Sequence, residues 1–340
     1  MRFSALRFAA LGLLLFGSAG LVSSQGAPQT RQLKVNGADI SYVDQGSGTA
    51  VVFVHGAVAD LRFWEPQRQE ISKRHRFVSY TLRYHGTDPW TDSGQQYSTA
   101  THAADLAAFI EGLKAGPVHL VGLSYGGLLA GMVALDHPKL IRTLTVAEPA
   151  FLSLLAETPE GKPALDAWLK AAAPVMAALK SGDTAGATKQ LAAVVTGKGP
   201  ETFHELPAAF RQILTDNSRT LPLLFAAPAE AVPCEKLKAA KAPTLVIGGA
   251  ESPVFFAKVN ELTVKCIPGS RLEVIPKASH TMSLDNPRGF QPPAVAVRRK
   301  TLRCQAVNRE RPGKRVAVHD SLPDTTLPAS HGTTPLTHPY

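Results

Sequence analysis

The sequence predicts an α/β protein built on a mostly parallel sheet, and three observations carry that prediction. Short β-branched or apolar runs recur at Ala50–Val54, Phe77–Leu82, Val118–Leu123, Leu144–Ala147, Thr244–Ile247 and Leu272–Ile275. Several are apolar throughout, as strands covered on both faces are. Helical segments fall between them, near 99–114, 126–137 and 254–265, and such alternation gives parallel pairing through right-handed crossovers.

Composition sets the frame for these elements. A chain of 340 residues, 44% hydrophobic and 19% charged, with three Cys, suits a globular protein of one to two domains. It excludes collagen-like, coiled-coil and disulfide-dense scaffolds. The net charge of +9 invites a nucleic-acid partner, but its location removes that reading. Residues 1–25 carry Arg2 and Arg7 and no acid, residues 288–340 carry nine Lys/Arg against three acids, and the rest holds 25 basic against 24 acidic residues. A nucleic-acid binder gathers its charge on the folded domain, so no nucleic-acid partner is expected.

In chain order, Arg2 and Arg7 precede the apolar run Phe8–Phe16 and the small and polar stretch Gly17–Gln25. That order reads as a signal peptide over 1–25, cleaved between Ala19 and Ala27, with a core too short to remain as a permanent membrane anchor. The protein is therefore expected to be exported, to the periplasm or beyond. Leu33–Val35 and Ile40–Val43 flank Asn36-Gly37, which accepts positive φ cheaply and favours a hairpin. From Phe151 to Val232 there is no convincing strand, only Ala/Leu-rich helical text such as Ala164–Ala178 and Gly186–Val195. Residues 151–232 read as a helical cap over one end of the sheet, inserted between core segments 31–150 and 233–287. Beyond Pro287 the text is Pro-rich and without period, and 288–340 is expected to be a disordered basic tail.

Chemistry enters at Gly122-Leu123-Ser124-Tyr125-Gly126-Gly127, which follows a predicted strand and opens a predicted helix. A nucleophile on a tight strand-to-helix turn projects its oxygen from the sheet edge, and flanking glycines remove the Cβ clashes of that turn. A serine hydroxyl needs a base, and the base needs a carboxylate to hold its tautomer. His280, in Ser279-His280-Thr281 just past the last predicted strand, is the candidate base, on a loop at the C-terminal end of a parallel strand. His102 and His119 read as surface or packing residues, His85 and His137 as structural, and His204 as at most a pocket residue.

Val51-Val52-Phe53-Val54-His55-Gly56, Leu82-Arg83-Tyr84-His85-Gly86, the turn at Ser124 and Ser279-His280, in that order, resemble the α/β-hydrolase superfamily over roughly 31–287. The resemblance implies a mostly parallel eight-stranded sheet with a helical cap after the sixth strand. It also implies an oxyanion hole made by the backbone N–H groups of Ala57 and Tyr125. The acid of many relatives follows the seventh strand, where this chain has Ser252 within Ile247-Gly248-Gly249-Ala250-Glu251-Ser252-Pro253. Other branches carry it after the sixth strand, which points to Glu148, with Glu251 as the alternative. A final amphipathic helix is also usual after the His loop, yet Phe290 here is followed at once by Gln291-Pro292-Pro293.

A serine nucleophile points to acyl chemistry, with a carboxylesterase of small or medium apolar-acyl esters as the leading expectation. Lactone, thioester or C–C bond hydrolysis on the same residues is the alternative, and a non-catalytic ligand-binding or receptor-like protein is the alternative of another class. Phe63, Trp64 and Tyr84 are candidate pocket residues, with core packing the competing role for the first two. No metal-ligand spacing and no phosphate loop is visible, so neither metal nor cofactor is expected. Cys234 and Cys266 should fall near the same end of the sheet, which makes them candidates for a disulfide, with Cys304 left unpaired.

Overall fold

Asn36 and Gly37 take φ of 46° and 80° and turn β1 (Thr30–Val35) back on β2 (Ala38–Gln45), the hairpin the sequence predicts. The computed structural model describes residues 29–291, all within the first of two units, Met1–Arg299. The segment read as a signal peptide lies outside the described residues, as do Cys304 and the rest of the tail from Pro292.

After the hairpin come β3 (Ala50–Val54), α1 (Glu65–Ser72), β4 (Arg76–Tyr80), α2 (Thr99–Gly112), β5 (Val118–Leu123), α3 (Tyr125–Asp136) and β6 (Ile141–Ala147). Then follow α4 (Ser153–Ala156), α5 (Lys162–Lys180), α6 (Thr184–Thr196), α7 (Ala208–Asn217) and α8 (Leu221–Ala226), with no strand among them. The chain closes with α9 (Cys234–Leu237), β7 (Thr244–Gly249), α10 (Val254–Cys266), β8 (Arg271–Ile275) and α11 (Met282–Asp285). The eight strands form one sheet in the order β1-β2-β4-β3-β5-β6-β7-β8. Pairings of β1 with β2 and of β2 with β4 are antiparallel, and all others are parallel. Every residue of β3 and β5 is buried, which accounts for their apolar sequences. Helix α1 escapes sequence reading because its text, Glu-Pro-Gln-Arg-Gln-Glu-Ile-Ser, is polar and buries only Gln67, Arg68 and Ile71.

The inserted helices are tied to the sheet by a polar clamp. Asp60 caps the short turn Leu61–Trp64 through the Arg62 N–H. Its carboxylate also accepts from the Asn217 amide at 2.6 Å and pairs with Arg62 at 2.7 Å, and Arg62 reaches Asp216 at 2.8 Å. The Gly86 N–H donates to Asn217 Oδ1 at 2.6 Å. Burial alone would raise the Asp60 carboxyl, but the hydrogen bonds from Arg62 and Asn217 and the Arg62 charge outweigh it and hold it below its ordinary value. A disulfide joins Cys234, which opens α9, to Cys266, which ends α10.

The folded region runs past residue 287, four residues into the segment expected to be a disordered tail. Phe290 is fully buried, its N–H donates to the Asn286 carbonyl, and its ring lies 5.7 Å from Trp64. Residues 288–291 therefore belong to the folded region, with Phe290 packed into the core.

Candidate active site

Ser124 sits between β5 and α3 with φ 54° and ψ −119°, a strained conformation for a non-glycine residue. Two glycines make that turn possible. A Cβ on Gly122 would fall on the backbone of Gly126, and a Cβ on Gly126 would fall on the carbonyls of His55 and Val54. The turn is then riveted by hydrogen bonds from the Ser124 N–H to Ala147 O at 2.9 Å and from the Ala150 and Leu128 N–H groups to Ser124 O at 3.0 Å. Gly56 packs beside it, since a Cβ there would meet Ser124 Cβ at 3.4 Å.

Glu148 follows β6 with φ 42°, fully buried. One carboxylate oxygen accepts the Gly249 N–H at 2.8 Å, and the other lies 2.6 Å from His280 Nδ1. The carboxylate thus makes Nδ1 the protonated nitrogen and leaves Nε2 free as an acceptor. Ser124 and His280 line the same cavity. Glu251, the alternative acid, is exposed, and its N–H donates to Ala278 O. Its place on the turn after β7 keeps its carboxylate at the surface, so the structure gives the imidazole to Glu148. The loop that carries His280 is fixed by Asp285, which accepts the Ser279 N–H and hydroxyl, each at 2.8 Å, and the Thr281 hydroxyl at 3.0 Å.

The backbone N–H groups of Ala57 and Tyr125 have no protein partner among the described residues, and both residues line the cavity. Each is steadied by a buried histidine whose part in the site was not legible in the sequence. His55 Nε2 accepts the Leu82 N–H at 3.0 Å, so its Nδ1–H donates to Gly56 O at 2.8 Å and fixes the peptide that leads into Ala57. His102 Nδ1 meets the Tyr125 hydroxyl at 2.8 Å. Burial lowers His55 from the ordinary 6.5 to about 4 and His102 to about 3, and it lowers His85 between them as well.

These imidazoles make folding stability depend on pH in a definite direction. Their folded values lie below the unfolded one, so the unfolded chain binds more protons between about pH 6.5 and 4. Stability is full above 6.5 and falls as pH drops through that window. Each imidazole contributes a slope of up to ~1.4 kcal/mol per pH unit. Urea unfolding at pH 7, 6 and 5 is expected to show this loss, and His102→Gln to reduce the slope by about one proton. A slope unchanged by that substitution would contradict it.

The cavity holds about 550 Å³ and is mostly apolar, with Phe63, Leu128, Trp168, Phe210, Leu224 and Phe256 in its wall. Among the described residues no Lys or Arg lines it, and Glu230 is the one carboxylate that does. Of the three pocket candidates, Phe63 lies in the wall and meets Phe210 of α7 at 5.9 Å. Trp64 does not: it is wholly buried in the core against Phe53, Phe63 and Phe290. Tyr84 does not either. Its ring packs on Trp90 and Tyr97, and its hydroxyl donates to Asp92 at 3.1 Å. The structure also shows a residue the sequence does not announce, Phe256 of α10, stacked on His280.

Residues 49–287 match the alpha/beta hydrolase fold family, and the chain belongs to that family of hydrolases. Among solved structures, the enol-lactonase from Burkholderia xenovorans LB400 is similar with a TM-score of 0.61 at 20% identity, covering 82% of this chain and 100% of that one. A thermophilic esterase from Thermogutta terrifontis is similar with a TM-score of 0.60 at 22% identity, covering 81% and 98%. These two likenesses speak for the fold. In sequence, the (E)-2-((N-methylformamido)methylene)succinate hydrolase of Acinetobacter baylyi is 31% identical over 126 residues, 35% of this chain and 44% of that protein.

Proposed function

We propose that the protein is an exported serine hydrolase, a carboxylesterase acting on uncharged esters with small or medium apolar acyl groups. The observation that carries the reading is the His280 Nδ1–Glu148 contact of 2.6 Å, held in the wall of the cavity that Ser124 lines. In this mechanism His280 Nε2 takes the Ser124 proton as Oγ bonds to the ester carbonyl carbon. The tetrahedral oxyanion is met by the Ala57 and Tyr125 N–H groups, each worth ~3 kcal/mol of barrier. The protonated His280, paired with Glu148, then gives its proton to the departing alkoxide, and the alcohol leaves an acyl-serine. Water attacks that acyl group by the same route, releasing the acid and restoring Ser124.

The cavity supports the substrate class. Among the described residues its wall is mostly apolar and holds no Lys or Arg, so it suits an acyl chain and offers no cationic partner to a carboxylate such as the succinate in the name of the Acinetobacter relative. Lactones, as in the name of the Burkholderia structure, are cleaved by the same chemistry when their ring is uncharged. A panel of p-nitrophenyl esters of graded acyl length is expected to be hydrolysed with a maximum at short or medium length and no turnover by Ser124→Ala. Equal turnover by that variant would overturn the reading. Export is supported by the order of residues 1–25 and by the Cys234–Cys266 bridge, which suits an oxidising compartment. N-terminal sequencing of the secreted protein is expected to find a start between residues 20 and 28, and an intact Met1 would contradict it.

A further inference from the structure

His280 is engaged on a ring face as well as at Nδ1. The Phe256 ring lies flat against it, with centroids 3.9 Å apart and planes 10° from parallel. Both side chains are almost wholly buried, so no solvent layer competes with the stack. Phe256 is itself held from behind: it meets Phe255 at 4.7 Å, and Phe255 takes the edge of Trp168 from α5 at 5.4 Å. The platform under His280 is therefore part of α10, packed through Phe255 against an inserted helix.

An aromatic face carries negative charge density and attracts a cation above it more than it attracts a neutral ring. The imidazole of an acyl-transfer cycle is neutral in the resting site and cationic in both tetrahedral stages, so a flat stack on one face stabilises the stages that limit the rate. We infer that Phe256 is a positioning residue for His280, holding the imidazole in the plane of the Glu148 contact and favouring its imidazolium form through its π face. The inference rests on the acyl-serine reading above. Other charged groups on the surrounding elements are Glu148 after β6, Asp285 of α11, Glu251 on the turn after β7, Glu230 in the cavity wall, and Lys258 of α10, which pairs with Glu261. Substitution at position 256 alters none of these charges.

Phe256→Leu keeps the site apolar and removes the π face, whereas Phe256→Tyr keeps both. The test is the pH dependence of kcat/KM on one p-nitrophenyl ester for wild type and both variants, with fluorophosphonate labelling of Ser124 to count competent sites. For Phe256→Leu, kcat is expected to fall about three- to tenfold and the acid limb to move about half to one pH unit lower. Phe256→Tyr is expected to stay within about twofold of wild type with its limb unmoved. An unmoved limb in Phe256→Leu, whatever its activity, would overturn the inference, because loss of mere packing lowers kcat without changing the base. Phe256→Met carries the same test should Phe256→Leu fail to fold. A wild type that neither labels nor shows an acid limb would instead overturn the acyl-serine reading itself.

Discussion

Glu148→Gln is expected to lower kcat by about 10³- to 10⁴-fold with little change in KM, while Glu251→Gln stays within about twofold of wild type. The substitution keeps shape and volume but removes the charge that faces the imidazolium. An amide oriented to accept the Gly249 N–H through its oxygen turns its NH₂ toward His280, so Nδ1 must become the acceptor and Nε2 the protonated nitrogen. That is the wrong tautomer to take a proton from Ser124. The carboxylate is fully buried and both its oxygens are committed to these two contacts, which is why the effect should be large. Steady-state kinetics on one ester decides: near wild-type turnover in Glu148→Gln together with a deep loss in Glu251→Gln would move the acid to the turn after β7.

Gly126→Ala carries the second large effect, on stability and activity together. The added Cβ would strike two backbone carbonyls, those of His55 and Val54, which cannot swing away as a side-chain tip can. Relief requires β3 to part from the start of α3, and the displaced segment leads directly into Ala57. A loss of about 2–4 kcal/mol is expected, read as a drop of roughly 5–10 °C in Tm for a domain of this size. The movement of one oxyanion donor should also cut kcat/KM about 100-fold in whatever fraction folds. Gly112→Ala is the control, since its Cβ meets only the flexible end of Leu33 and its α2 position favours alanine. Equal Tm values for the two variants would contradict the account of the turn.

Much of the fold was legible because its signals are local. Apolar strands, the Asn36-Gly37 turn and the strand-free interval 151–232 each carry their own pattern, and six parallel strands alternating with helices leave few topologies. The triad candidates were legible because Ser124 and His280 stand at strand ends within recognisable text, and Glu148 because the usual acid position holds Ser252. What stayed hidden depends on which face of a side chain meets what. Phe63 and Trp64 are adjacent in sequence, yet one faces the cavity and the other the core, and nothing in a Phe-Trp pair tells them apart. Tyr84 has φ 68° and turns into its own loop. Phe256 reads as an ordinary apolar position of α10, and only the folded chain lays it on His280. Phe290 lies where the text turns Pro-rich, so its place in the core was hidden by its neighbours.

The central claim is that Ser124 is an activated nucleophile, and active-site labelling tests it most directly. The mature folded protein, treated with a fluorophosphonate probe and mapped by peptide mass spectrometry, is expected to carry one equivalent on Ser124. Labelling should be lost in Ser124→Ala and in urea-unfolded protein, and slowed at least about 100-fold in His280→Ala. No label on Ser124 in the folded protein, or equal labelling after unfolding, would contradict it.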